Sequence, residues 1–390
     1  MTAATASSTT LDDLCSAYLP FDASSSAWSD LTPTPQLESS SPMCPILFAP
    51  EYSSAMDLYR TLTVSNTAPL SAIELSPRAL ALTSHLIQLN PSHFSVWQYR
   101  ANIILHSPTL GSNRDELLRA ELGWLDELAH KNMKSYQVWQ HRRLVVSALG
   151  DPGRELEFVK ENLARDAKNY HTWGYRQWVL AHFGGLSLPS SAVVVGSRGA
   201  GEFPQLWDGE ADYVDQLLSE DVRNNSAWNH RWYIHFARFG LTGSTNPVNL
   251  DPTTMEKIQK TIKYEKAYAK ASLAGCPNNA SAWTYLRALH TALPASLQTR
   301  LVGELGWVKT MVSTNAEAEK DASVDVMGRG PVGALEWWFD CLAEDARSGN
   351  VAIEEAEMLV KRLIVADSVR KRFWAYRLKS LRRTLQPQQH

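Results

Sequence analysis

The sequence predicts an all-α fold in which antiparallel helix hairpins stack into a curved solenoid, and three observations predict it. Six tryptophans, Trp97, Trp139, Trp173, Trp228, Trp283 and Trp374, sit in one recurring local pattern. Seven residues before them lie Asn90, Asn132, Asp166, Asp221, Cys276 and Asp367, and two residues after them Tyr99, His141, Tyr175, His230, Tyr285 and Tyr376. Three residues after them lie Arg100, Arg142, Arg176, Arg231 and Arg377, with Leu286 in the fifth copy and Arg287 one step late. Amphipathic stripes of helical period precede the tryptophan segments, and Asn or Asp at five of the six upstream positions, with Pro91 and Pro277 directly after the upstream residue in two copies, reads as a helix start. A motif recurring in this way marks a repeat architecture.

Taken in order, residues 1–50 are rich in Ser, Thr, Ala and Pro and are expected to be a disordered tail. The helical domain is expected to span 51–385. Asn or Asp accepts hydrogen bonds from the free N–H groups of a first helical turn, which places each tryptophan about two turns into a capped helix. Leu118, Leu122 and Leu125 form the apolar stripe of one preceding helix, and Leu156, Val159 and Leu163 that of the next. Val214, Leu217 and Leu218 continue the theme before Asp221. The unit is therefore helix, short turn, tryptophan helix, and stacked units bury a continuous core. Tryptophan spacings of 42, 34, 55, 55 and 91 require inserted loops or an extra hairpin in the longer intervals. Gly184–Pro204, counted as an insert of about 184–205, reads as a surface loop, and Thr314–Pro331 as a second interruption. Val193–Gly201 looks like a glycine-rich phosphate loop only superficially, because no Gly-Lys-Ser/Thr follows.

Composition bounds the function. A chain of 390 residues with 44% hydrophobic content buries a large core. A net charge of −3 argues against a basic nucleic-acid binder. Four cysteines, Cys15, Cys44, Cys276 and Cys341, show no metal or disulfide spacing, which fits a reducing cytoplasm. No apolar run reaches the length of a membrane span, and the N-terminus lacks the pattern of a secretory signal.

No nucleophile or metal motif stands out. Lys134, Lys168 and Arg223, each the second residue after an expected cap, are the more informative feature. A cation there opposes the helix macrodipole at a cost of roughly 0.3–1 kcal/mol. Either these are solvated surface charges, or they reinforce the anion site that a helix N-terminus already makes, for a phosphate or diphosphate. Tyr136 and Tyr170 could add hydroxyl donors on the same rim. The tryptophans and arginines read as packing residues.

Lys134-Ser-Tyr-Gln-Val-Trp-Gln-His-Arg-Arg143, Asp166-Ala-Lys-Asn-Tyr-His-Thr-Trp-Gly-Tyr-Arg-Gln-Trp178 and Asp221-Val-Arg-Asn-Asn-Ser-Ala-Trp-Asn-His-Arg-Trp232 resemble the repeats of protein prenyltransferase alpha subunits, in particular the subunit shared by farnesyltransferase and geranylgeranyltransferase type I. The resemblance covers roughly 51 to 385. It implies a right-handed superhelix of helix hairpins, a crescent wrapped around a beta subunit that holds a catalytic zinc and most of the isoprenoid pocket. The implied reaction moves a farnesyl or geranylgeranyl group from its diphosphate to the cysteine of a C-terminal CaaX motif, as in Ras- and Rho-type small GTPases. Magnesium would assist diphosphate departure in the farnesyl reaction. By the same resemblance Lys168 faces the diphosphate and Tyr170 borders it. Gln137 binds the peptide carboxylate, with Tyr136 and Lys134 on the substrate side. Arg176, Asn224 and Trp228 shape the interface, and Arg231, Trp173 and Trp139 are structural.

Two departures stand out. The fifth repeat, Cys276-Pro-Asn-Asn-Ala-Ser-Ala-Trp-Thr-Tyr-Leu-Arg287, lacks the aligned Arg and is expected to pack more loosely. The insert exceeds the family's usual connection. Two rival readings are a Rab-type geranylgeranyltransferase alpha subunit, which Gln137 argues against, and a non-enzymatic helical-repeat scaffold for peptides.

Overall fold

A computed structural model of the protein describes residues 21–37, 41–44, 46–63, 73–110, 113–186, 198–236, 241, 251–294, 296–318, 330–346 and 353–385. The described residues hold α-helices and short 3-10 turns and no strand. The chain divides into two compact units, Met1–Trp207 and Asp208–His390. The first contains Pro50–Thr63 (α1), Pro77–Leu89 (α2), Phe94–His106 (α3), Arg114–Lys131 (α4), Tyr136–Leu149 (α5), Glu155–Arg165 (α6) and Tyr170–Gly184 (α7). The second contains Glu210–Glu220 (α8), Asn225–Phe236 (α9), Pro252–Gly275 (α10), Ala280–Thr291 (α11), Leu305–Ala318 (α12), Val332–Ala346 (α13), Ile353–Ala366 (α14) and Lys371–Leu385 (α15).

The predicted hairpins are present. In the first unit α2 packs on α3, α4 on α5 and α6 on α7. In the second unit α8 packs on α9, α10 on α11, α12 on α13 and α14 on α15. Tryptophan helices of successive hairpins also touch: α3 with α5, α5 with α7, and α9 with α11. The indoles of Trp97, Trp139, Trp173, Trp228, Trp283 and Trp374 are buried.

The caps differ from the sequence reading by one turn. Asn90, Asn132, Asp166, Asp221 and Cys276 terminate the first helix of each hairpin rather than start the second. The residue four before tryptophan starts the second helix: Ser135, Asn169 and Asn279 cap it through their side chains. Asn224 does the same for α9, its Oδ1 accepting from the N–H groups of Ser226 (3.0 Å) and Ala227 (3.4 Å). Each tryptophan therefore lies one turn, not two, into its helix. The upstream Asn or Asp folds the connecting turn instead, as Asp166 and Asp221 accept from the N–H two residues on. Pro91 and Pro277 sit in that turn, outside the helix.

The indole closes the same turn. Nε1 of Trp97, Trp139, Trp173, Trp228 and Trp283 donates to the carbonyl six residues earlier, at Pro91, Met133, Ala167, Val222 and Pro277, over 2.8–3.0 Å. One residue type thus fills the core and fixes the geometry of entry, which explains why Trp rather than Phe recurs. Trp374 departs from this, donating to the Asp367 carboxylate at 3.0 Å.

Three of the recurring arginines, Arg100, Arg142 and Arg231, are buried in ion pairs. Arg100 makes a bidentate pair with Glu121 (2.7 and 2.6 Å), Arg142 with Glu155 (2.7 and 2.9 Å) and Arg231 with Glu265 (2.6 and 2.8 Å). Each guanidinium also lies over a ring three residues past its glutamate, at Trp124, Phe158 and Tyr268. The same glutamates hydrogen-bond the residue two past the next tryptophan: His141 with Glu121 (2.9 Å), and Tyr175 and Tyr285 donating to Glu155 and Glu265 (2.6 Å each). Arginine of one repeat, glutamate of the next repeat's first helix and Tyr/His of its second helix form one cross-repeat latch. Each charge meets its counter-charge, which a buried ion requires.

Three further expectations change. Residues 21–37, part of the segment expected to lack order, pack on the first hairpins: Trp28 is buried, Arg78 pairs with Asp30, and Arg60 Nε donates to the Thr34 carbonyl at 2.9 Å. α12 continues to Ala318, past the expected start of the second interruption, because Ala and Glu favour helix without supplying an apolar stripe. The fifth repeat is not loose. Trp283 and Leu286 are buried, Gly333 lies flush against the indole, and Arg287 reaches Asp340 from its displaced position.

Of the long insert, 187–197 lie outside the described residues, including the start of the glycine-rich segment. Its return limb is firmly attached. Arg198 N–H donates to the Ser147 carbonyl (2.8 Å) and its Nε to that of Ala148 (2.6 Å), while its guanidinium pairs with Asp115 (2.8 Å). Gly201 and Phe203 N–H groups donate to His182 and Phe183 carbonyls at 2.9 Å. These four acceptors belong to the last turns of α5 and α7, where helices leave carbonyls unsatisfied. Gly150 and Gly199, both at positive φ, make this approach possible, since a Cβ on either would enter the other strand of the contact.

Candidate functional site

The turns inside the hairpins of the first unit build the candidate site. After α6 ends, Asp166 Oδ1 accepts from the Lys168 N–H at 3.4 Å. Asn169 then caps α7, accepting from the N–H groups of His171 (3.0 Å) and Thr172 (3.1 Å). Its Nδ2 donates at 3.4 Å to the Met133 carbonyl, which the Trp139 indole also occupies. The two turns are laced at one oxygen. In the second unit Asn279 Nδ2 likewise donates to the Val222 carbonyl, at 2.6 Å, beside the Trp228 indole.

Lys134 and Lys168 each immediately precede the cap, as Arg223 does in the second unit, and all three are exposed. They stand just outside the helix start instead of inside its first turn, which corrects the position inferred from sequence. There a cation lies beside the positive end of the capped helix rather than inside its first turn, and an anion can meet both charges. The first residues of α5 and α7 are Tyr136 and Tyr170, 66% and 76% exposed. Phe94 holds the same place in α3 at 72% exposure. The sequence reading did not single it out, although an aromatic three before tryptophan in the first three copies is a legible signal.

His171 joins two of these rings. The Tyr136 ring meets it edge-on at 4.3 Å and the Tyr170 ring at 5.5 Å. Burial holds the His171 imidazole below its ordinary pKa, so it is neutral at physiological pH. Positive charge on this rim therefore comes from the lysines. Gln137 is half-buried, its Nε2 donating to the Ser92 carbonyl at 3.3 Å and its Oε1 accepting from Ser135 Oγ at 3.1 Å. An amide nitrogen carries two N–H donors, so one remains beyond the Ser92 bond.

The remaining candidates lie in the core. Trp139 and Trp173 are buried in the first unit, and Arg176 is buried with Nη1 donating to the Leu156 carbonyl at 3.2 Å. Asn224, Trp228 and Arg231 are buried in the second unit. The structure thus brings Lys134, Tyr136, Gln137, Lys168 and Tyr170 onto the exposed turns of two successive repeats and puts the other six inside. The glutamates Glu121, Glu155, Glu210 and Glu265 went unread in the sequence. Each lies 18 residues before a repeat tryptophan and three before an aromatic residue, a register visible without a structure.

Such a rim offers cations, phenol hydroxyls and helix N-termini, the equipment for holding a phosphate-like anion. Among the described residues no group of three or more His, Cys, Asp or Glu is placed to hold a metal ion. No helix among them is long and apolar enough to cross a membrane.

The family described as protein prenyltransferase alpha subunit repeat matches residues 76–107, 118–149, 152–183 and 207–237. The chain is 31% identical over 369 residues to the protein farnesyltransferase/geranylgeranyltransferase type-1 subunit alpha of Arabidopsis thaliana, covering 90% of this chain and 93% of that one. It is 31% identical over 277 residues to the same-named subunit of Candida albicans, covering 69% and 75%. The geranylgeranyl transferase type-2 subunit alpha of Rattus norvegicus is 28% identical over 245 residues, covering 61% of this chain but 38% of that one. Among solved structures, Candida albicans protein geranylgeranyltransferase-I complexed with GGPP superposes with a TM-score of 0.66 at 25% identity, covering 90% of this chain and 98% of that one.

Proposed function

The chain belongs to the protein prenyltransferase alpha-subunit family, as the alpha subunit of a farnesyltransferase/geranylgeranyltransferase type-1 enzyme, and from that premise we propose how its exposed rim takes part in the reaction. Paired with a beta subunit, it transfers a farnesyl or geranylgeranyl group to the cysteine of a CaaX motif in proteins such as Ras- and Rho-type GTPases. The cysteine sulfur attacks C1 of the isoprenoid diphosphate. The C–O bond breaks, a thioether forms, the thiol proton is released and diphosphate departs.

Lys168 and Lys134 face the departing diphosphate. Negative charge develops on the bridging oxygen as that bond breaks, and a fixed cation stabilises it most at that moment. Tyr170 and Tyr136 border the same anion with their hydroxyls. Gln137 offers its remaining amide N–H to the peptide's terminal carboxylate, and its bond to Ser92 fixes the amide plane. Trp139, Trp173 and Arg176 hold the repeats that carry this rim, and Asn224, Trp228 and Arg231 hold those of the second unit; Arg176, Asn224 and Trp228 thereby shape the surface offered to the beta subunit. In this reading the catalytic zinc belongs to the beta subunit. Magnesium, where the farnesyl reaction uses it, would meet the diphosphate.

The observation that carries the reading is selective exposure. Two successive repeats expose Lys134, Tyr136, Lys168 and Tyr170 on their turns, while the motif residues Trp139, His141, Arg142, Trp173, Tyr175 and Arg176 of the same repeats are buried. The type-1 reading is favoured over the Rab-type one because alignment spans 93% of a type-1 relative and 38% of a type-2 relative.

The test is farnesyl and geranylgeranyl transfer to a CaaX peptide by this chain alone and co-expressed with a type-1 beta subunit. Transfer only by the co-purified pair supports the reading. A stable pair without transfer to either donor, or no pair at all, would move the chain to the scaffold or Rab-type alternative.

A further inference from the structure

The last helix carries a surface that the reaction does not use. Along α15, Arg372, Tyr376, Lys379 and Arg383 follow i, i+4, i+7 and i+11, a single helix face, and all four are exposed. The opposite face buries Trp374 and Leu381. Between Arg370 and Arg383 the chain places seven cations, and no Asp or Glu follows Asp367. The carboxylates within reach are taken by flanking cations: Arg370 pairs with Asp367 (2.5 Å), Arg377 with Asp340 (2.5 Å) and Arg382 with Glu357 (2.6 Å). No carboxylate among the described residues lies within ion-pair distance of Arg372, Lys379 or Arg383, nor of Lys371 beside them.

A cationic stripe on a chain of net charge −3 is a local feature, not a consequence of overall composition. Its three unpaired cations span eleven residues, about 16 Å of helix, so a partner must present negative charge over an extended surface. Apolar groups are interleaved with the charges. Val369, Phe373 and Tyr376 are exposed on and just before the same helix. Cations beside exposed aromatic and aliphatic side chains are the features with which a surface helix lies on an anionic bilayer: charge meets the lipid headgroups while apolar tips enter the boundary. A nucleic acid would fit the charge but gives no role to the aliphatic Val369.

We infer that the exposed face of α15 is a weak peripheral docking surface for anionic phospholipid membrane. It requires no membrane-spanning segment, and it is independent of the residues assigned to transfer. Each cation near such a surface contributes roughly a fivefold gain in binding. Three cations therefore give weak, reversible attachment that salt removes.

The chain co-purified with its beta subunit is mixed with sucrose-loaded vesicles of phosphatidylcholine, alone or with about one third phosphatidylserine, and sedimented. Expected is sedimentation with the anionic vesicles alone, weakened about a hundredfold in an Arg372→Gln/Lys379→Gln/Arg383→Gln variant and abolished by high salt. Tyr376→Ser is expected to weaken it severalfold, while peptide prenylation stays at the wild-type rate in both variants. Equal binding of wild type and triple variant, equal binding to neutral vesicles, or binding to single-stranded RNA with none to vesicles would each overturn the inference. If the triple variant unfolds, Lys379→Gln and the salt series on wild type decide. Salt-insensitive binding, or no loss in Lys379→Gln, overturns it as well.

Discussion

At the scale of single residues the repeat separates two jobs, and substitution should separate them too. Lys168→Ala removes an exposed side chain, so its stability is expected to stay within about 0.5 kcal/mol of wild type. Turnover of the co-expressed enzyme is expected to fall about 10- to 100-fold, with little change in beta-subunit binding. Lys134→Ala, at the equivalent place one repeat earlier, is measured beside it, and the larger loss in single-turnover rate identifies the lysine nearer the leaving oxygen. Unchanged turnover in both would remove the lysines from the mechanism. Glu155→Gln should do the opposite. It leaves the buried Arg142 guanidinium with only Asp126 as a charged partner and deprives the Tyr175 hydroxyl of its carboxylate. Burial, then the Glu155 charge, hold that phenol well above its ordinary pKa, so it remains a donor. Breaking such a latch costs about 3–5 kcal/mol, readable as a lowered urea midpoint at unchanged slope. The tryptophan, arginine and Tyr/His positions of this latch were legible because they recur within four residues of one another. The glutamates were not, because they lie 18 residues upstream across a helix and a turn.

At the scale of elements, the hairpin turns do more than connect. Four tryptophan helices are capped four residues before the indole, by Ser135, Asn169, Asn224 and Asn279, and the turn carbonyl at Met133 or Val222 receives both the indole and the next repeat's asparagine amide. Asn169→Ala should therefore cost more than a simple cap, about 1–2 kcal/mol, by loosening α7 and its tie to the α4–α5 turn together. Asn169→Asp keeps the cap but loses the amide donor, so a smaller loss of thermal stability there separates the two contributions. The sequence placed the cap one turn too early because Asn and Asp suit both ends of a connection. They start helices, and they also fold the turn that ends one. Helix pairing was readable from the apolar stripes. The attachment of the insert was not, because backbone carbonyls at helix ends leave no mark in sequence. Gly150→Ala tests that attachment. It forces a Cβ onto a left-handed residue and against Arg198, and a loss of about 1–2 kcal/mol is expected. Arg198→Ala, which keeps the backbone contacts, should cost less.

At the scale of the whole molecule, charges buried between helices make stability depend on acid in a definite direction. Burial alone would raise the Glu121 pKa, but the Arg100 guanidinium and the His141 hydrogen bond outweigh it and bring the carboxyl to about 2. In the second unit, the His290 hydrogen bond and the Lys270 charge bring Glu304 to about 2 against a smaller opposing effect of burial. Both groups are depressed relative to the unfolded chain, where a glutamate titrates near 4.5. The unfolded state therefore binds protons first as pH falls. The stability these groups supply is complete above about pH 4.5 and is lost progressively down to about pH 2. Denaturant melts followed from pH 7 to pH 2 should show a plateau and then a decline confined to that window. Glu121→Gln should start from lower stability at pH 7, because Arg100 loses its counter-charge, and should decline less steeply in acid, because one depressed group is gone. A variant whose acid limb keeps the wild-type slope would mean that Arg100 and Glu121 do not titrate as the paired groups their geometry makes them.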